Sequence, residues 1–210
     1  MNRVIGKVVF AAVLAGASTS AAQAATVFSD DFNTIVASAL NTPPSGWTVS
    51  GGTVDSIFNT NVWGISCFGG AGGCIDLDGS TRNAGLLSQG TFTLFAGVQY
   101  TLSAQISGNQ RGGSADNVTF GFLDSSTNAV VASSSISSLA SGAPFALRSL
   151  VFTGAADRSV KIFFEDAGAD NVGAILDNVS LTAVPLPAAA WLLLSGLAGF
   201  GVLGRRRKAA

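Results

Sequence analysis

The 210-residue chain contains no histidine. That removes imidazole-based catalytic triads and histidine-ligated metals. Glutamate occurs once, at Glu165. A paired-carboxylate hydrolase would have to draw on Asp76, Asp78, Asp166 or Asp170, and their spacing singles out no pair. The acids of 165–170 read instead as a solvated turn between two strands. An enzyme, acting on polysaccharide, is therefore the least expected class. Cysteine occurs twice, at Cys67 and Cys74, bracketing Phe-Gly-Gly-Ala-Gly-Gly. The spacing is not that of a redox CxxC, and two cysteines without histidine make a poor zinc site. In an oxidising compartment they pair as a local disulfide, worth roughly 2.5 kcal/mol of chain entropy for so short a loop. Basic residues are scarce in the middle of the chain. All twelve acids lie between Asp30 and Asp177, against only Arg82, Arg111, Arg148, Arg158 and Lys161. That stretch carries −7, whereas the whole chain carries −1. A nucleic-acid or anionic-membrane surface needs a basic patch and is excluded; solubility or cation binding is not. Residues 25–183 also lack any long apolar pattern of helical period.

What is present first concerns the ends. Arg3 and Lys7 form a basic n-region, 8–17 a short apolar core, and Ala22-Gln23-Ala24 a small-x-small cleavage site. Residues 1–24 read as a signal peptide, with the mature chain starting at Ala25. At the other end, Val184-Pro185-Leu186-Pro187 and Ala188 lead into an uncharged apolar segment, 188–204. As a helix its 17 residues would be roughly 25 Å long, the short end of what spans a bilayer core. Trp191 lies near its start, at headgroup level. Arg205, Arg206, Arg207 and Lys208 follow at once. Retained positive charge places this end in the cytoplasm and the bulk of the chain outside. Motif, short span and arginine cluster in that order resemble the PEP-CTERM sorting signal in its VPLPA variant. Leu186 stands where the name-giving motif has glutamate. The resemblance implies recognition by a membrane-embedded exosortase, a cysteine-dependent processing enzyme of Gram-negative bacteria. It also implies export alongside an exopolysaccharide system, with the protein ending at the cell surface or in the extracellular matrix.

Between the ends, residues 25–183 have the length of one domain. Their apolar residues recur with period two, broken by Gly, Asn and Asp. Tyr100, Leu102, Ala104 and Ile106 share one face, and Thr101, Ser103, Gln105 and Ser107 the other. Phe92 and Leu94 alternate in the same way, as do Val118, Phe120 and Phe122. Leu147, Ser149, Val151 and Thr153 face opposite Arg148, Leu150 and Phe152. Val160, Ile162 and Phe164 follow, then Ile175, Val179 and Leu181. Nine or ten short strands predict an all-β antiparallel sandwich, with a barrel as the rival. Several phrases in order resemble the choice-of-anchor and galactose-binding-like carbohydrate-binding jelly rolls. They include Ser45-Gly46-Trp47-Thr48-Val49, Ile75-Asp76-Leu77-Asp78-Gly79 and Ile175-Leu176-Asp177-Asn178-Val179. The resemblance implies first and last strands side by side, often holding a structural calcium. Here Asp30 or Asp31 near the start and Asp177 near the end match those positions, with Asp31-Phe32-Asn33 in place of the usual glutamate.

Two site readings follow. Calcium takes six to eight oxygens, and Asp31, Asp76, Asp78 and Asp177 are its candidate ligands. No spacing matches an EF-hand loop. Sugar binding needs an aromatic platform with polar neighbours, for which Trp63, Asn109 and Arg111 are the candidates. Trp47 and Tyr100 are expected in the core. The sequence thus predicts a non-catalytic structural or adhesive protein that touches glycans, with a lectin-like module of defined specificity as the alternative.

Overall fold

The computed structural model describes residues 23–59, 63–168 and 170–184. These fall in one compact unit, Gln23–Leu186. The expected signal peptide lies outside the described residues except for its last two, and the expected sorting tail except for Val184. Among the described residues no helix is long and apolar enough to cross a membrane.

Eleven strands follow one another: β1 (Ala25–Asp30), β2 (Trp47–Ser50), β3 (Asp55–Phe58), β4 (Gly73–Asp76), β5 (Leu86–Leu94) and β6 (Gln99–Ser107), then β7 (Asp116–Asp124), β8 (Val130–Leu139), β9 (Ala146–Thr153), β10 (Arg158–Asp166) and β11 (Ile175–Val184). They build two antiparallel sheets. One has the order β3-β4-β11-β6-β9, with β1 also paired to β11; the other has the order β2-β5-β10-β7-β8. Two separate sheets make a sandwich, not a closed barrel. β11 is the axis of the larger sheet. Along one edge it pairs with β4 and then β1, and along the other with β6.

Period two decides which side chains enter the core. In β6, Tyr100, Leu102, Ala104 and Ile106 all point inward and are buried. They meet Phe120, Phe122, Ile162 and Phe164 of the facing sheet. Each fully buried side chain of that size contributes about 1.5–3 kcal/mol. Trp47 is buried as expected, and its indole N–H donates to Asp30 Oδ2 at 2.8 Å, so no polar atom is stranded.

The larger sheet also has a second, smaller core on its outer side. Ile57, Cys74 and Ile175 project outward, because Ile75 and Leu176 project inward. Ile65 and Cys67 from the 63–72 loop cover them, with Phe145 packed alongside. Cys67 and Cys74 form the expected disulfide, with Cα atoms 5.4 Å apart. One sequence expectation fails here. Asp166 is not in a solvated turn. It ends β10 in phase with Ile162 and Phe164, points inward and is buried.

Candidate functional site on the outer face of the six-stranded sheet

The outer face of the larger sheet has two halves. Over β1, β11, β6 and β9 it is open. Cross-strand register aligns Thr26, Thr182, Thr101 and Val151 in one row. It aligns Ser29, Ser180, Ser103 and Ser149 in the next. A bulge between Thr26 and Phe28 brings Ser29 into phase, and another between Asp177 and Ser180 does the same on β11. Neighbouring strands lie about 4.8 Å apart, so each row is roughly 14 Å long. The rows contain no charged side chain. Thr182 Oγ1 donates to the Thr101 carbonyl at 3.5 Å. The exposed edge adds Leu147 (65% exposed) and Val151 (56%). The serine row ends at a 440 Å³ cleft lined by Ser29, Asp30, Asp31, Thr34 and Asn178. The rows themselves are uncharged and rich in hydroxyl donors and acceptors, with exposed apolar residues beside them.

The other half, over β3, β4 and the start of β11, is covered and acidic. Asp55, Asp76 and Asp177 project outward there and are buried beneath loops. Gln110 fastens the 63–72 loop by two bonds to Ser66, accepting from its N–H and donating to its carbonyl, each at 2.9 Å. Phe68 N–H donates to Asp177 Oδ2 at 2.9 Å, and Phe68 packs edge-on against Phe145. Ser80 donates to Asp55 through both its N–H and its hydroxyl. Arg111 forms an ion pair with Asp76. Burial pushes Asp76 up to about 8 despite that guanidinium and the Asp78 and Gly173 amides. Burial likewise raises Asp177 to about 6, with Asp31 and Asp30 adding repulsion.

Three further acids close one end of the sandwich between the sheets. Asp78 follows β4, Asp116 opens β7 and Asp166 ends β10; all are buried. Burial raises Asp116 to about 7, reinforced by Asp166 and Asp170, while the Asn109 amide pulls the other way. Asp166 is also raised, by burial first and by Asp78.

The sequence-predicted residues separate accordingly. Of the sugar candidates, Trp63 is 38% exposed on the covering loop. Asn109 is buried, and its amide donates to the Ser114 carbonyl and to Asp116 Oδ2. Arg111 is held by Asp76. The four calcium candidates do not converge. Asp76 and Asp78 adjoin each other, with the Asp78 N–H donating to Asp76 Oδ1. Asp31 and Asp177 belong to the terminal strands. There Asp31 accepts from the Asn33 backbone and side chain, and Asp177 from the Phe68 and Asn178 amides. Among the described residues, the one set of three metal-binding groups gathered within 4.8 Å is Cys67, Cys74 and Asp177. Its two sulfurs are consumed in the disulfide. Sequence reasoning passed over the serine and threonine rows and the burial of Asp116 and Asp166. The first was visible only as alternate hydroxyls on β6.

No protein-family model matches the chain, and no curated protein matches it in sequence. Solved structures match it in shape. The Stig cyclase Fisc from Fischerella sp. TAU, in complex with (3Z)-3-(1-methyl-2-pyrrolidinylidene)-3H-indole, superposes with a TM-score of 0.54 at 17% identity, over 74% of this chain and 94% of that one. An apo cyclase from Fischerella sp. gives 0.50 at 19% identity, over 70% and 87%. The N-terminal CBM22-1–CBM22-2 tandem domain of Paenibacillus barcinonensis Xyn10C gives 0.50 at 14% identity, over 81% of this chain and 48% of that one. What these proteins share with the chain is the fold.

Proposed function

We propose that this protein is an exported, non-catalytic β-sandwich of the galactose-binding-like jelly-roll type. It is sorted through its VPLPA tail by an exosortase-type enzyme to the cell surface or exopolysaccharide matrix. There it contacts neutral polysaccharide through the open half of the six-stranded sheet. The observation that carries this reading is the pair of aligned hydroxyl rows. Within a stretch of net charge −7 they form an uncharged surface. A neutral glycan presents repeated hydroxyls and C–H faces, which hydroxyl rows flanked by Leu147 and Val151 complement. The likeness to the CBM22 tandem domain supports the same reading. A lectin-like module of defined specificity is the second reading, and the exposure of Trp63 favours it.

The test is binding of the full chain to insoluble neutral and acidic polysaccharides. The variant Thr101→Val/Ser103→Ala/Ser180→Ala/Thr182→Val removes four central hydroxyls while keeping the sheet. At about 1 kcal/mol net per lost hydrogen bond, retention on neutral polymer should fall tenfold or more. Unchanged retention would refute the hydroxyl face. Loss on Trp63→Ala together with preference for one sugar would favour the lectin.

A further inference from the structure

Two buried carboxylate oxygens at the end of the sandwich complete no hydrogen bond among the described residues. Asp78 is completely buried. Its Oδ2 accepts from the amides of Asp170 and Asn171, each at 3.0 Å, while its Oδ1 accepts from nothing. Asp166 is 3% exposed. Its Oδ2 accepts from the Ala174 amide at 2.9 Å; the Asn117 and Gly168 amides also draw on the carboxyl, yet its Oδ1 completes no hydrogen bond. The two carboxylates lie close enough for Asp78 to repel Asp166, and Asp166 in turn repels Asp116. Arg111 pairs with Asp76 through its Nη2, and its buried Nε has no partner among the described residues.

The connection from β10 to β11 is shaped around Asp78. A Cβ on Gly168 would stand 2.7 Å from Asp78 Oδ2. A Cβ on Gly173 would stand 2.3 Å from the Asp78 nitrogen. An orphaned buried oxygen costs about 1–3 kcal/mol, and more when charged, so two of them at this end of the sandwich favour a counter-ion, or a proton where no ion is bound. The terminal strands differ in this respect: both oxygens of Asp31 and both of Asp177 already accept an N–H.

We propose that Asp78 and Asp166 hold a divalent cation of the calcium class, which bridges the two sheets at this end of the sandwich. The donors are hard oxygens, no histidine exists in the chain, and both thiols are in the disulfide, so soft transition metals are disfavoured. Two carboxylates, with the remaining ligands from backbone carbonyls and water, place the affinity in the weak range of extracellular calcium modules, about 0.1–1 mM. The site is independent of the hydroxyl face.

The test uses the full chain, stripped with chelator, in equilibrium dialysis and thermal melts with CaCl2 to about 10 mM, ten times the weak end of that range. One calcium per chain should bind, and Tm should rise by about 3–6 °C. Asp166→Asn should abolish both effects, and Asp31→Asn should leave both intact. Absence of binding, or binding that survives Asp166→Asn, overturns the proposal. If Asp166→Asn fails to fold, Asp31→Asn still decides: loss of calcium there moves the ion to the terminal strands and overturns it too.

Discussion

Six of the chain's twelve acids are buried: Asp55, Asp76, Asp78, Asp116, Asp166 and Asp177. Their titration sets a direction for stability. Asp177, Asp116 and Asp76 are raised to about 6, 7 and 8. The unfolded chain releases the same protons near the ordinary carboxylate value. Between about pH 4 and 8 the folded state therefore holds protons that the unfolded state has lost, so stability is greatest at the acid end and falls as pH rises. Thermal melts of the chelated full chain at fixed ionic strength should show Tm dropping steadily from pH 5 to pH 8.5. A flat profile would mean that these acids are ionised throughout. Calcium should flatten the slope, since an ion beside Asp166 favours its ionised form over the protonated form that burial favours. Asp124 behaves in the opposite sense. The Ser126 hydroxyl and amide, with the Thr127 amide and hydroxyl, hold it well below the usual carboxylate range.

At the scale of elements, the 63–72 loop matters most. It has little regular structure beyond the short turn Phe68–Gly70, and it is held by the disulfide, the Gln110 clamp and Phe68. Replacing both cysteines by serine should lower unfolding free energy by about 2.5 kcal/mol, read from the denaturant midpoint at constant m-value. Legibility also divides by element. β6 was plain because its four inward residues are all apolar and no bulge interrupts them. β8 was not, because inward-facing Ser134, opposite Phe120, breaks the alternation and exposed serines surround it. β1 was hidden by its bulge at Thr26 and Phe28. The acid turn 165–170 misled for a related reason: Asp166 is buried by the chain that follows it, and local polarity carries no record of that cover.

For the whole molecule, the hydroxyl face shows why the open half of the outer face was not legible. Thr26, Thr101 and Thr182 are distant in sequence, and only strand order and two bulges put them in line. The resemblance of the tail to a sorting signal is the converse, a local pattern that calls on no fold and lies outside the described residues except for Val184. Intact mass and fractionation of the native protein should find the chain shortened near the Val184-Pro185-Leu186-Pro187 motif and located in matrix or medium. A full-length chain kept in the membrane would refute processing.

The central place of β11 bears on how the molecule is made. It is the last of the eleven strands among the described residues, yet the larger sheet is assembled on it. Until residues 175–184 are available, the β3–β4 hairpin, β1 and the β6–β9 pair have no common partner. The closing step joins Ala25 to Ala183, across almost the whole domain, at a large cost in loop entropy. An incomplete chain therefore exposes two unfinished sheet edges; if the chain is exported as proposed, the sandwich can close only after residues 175–184 have crossed.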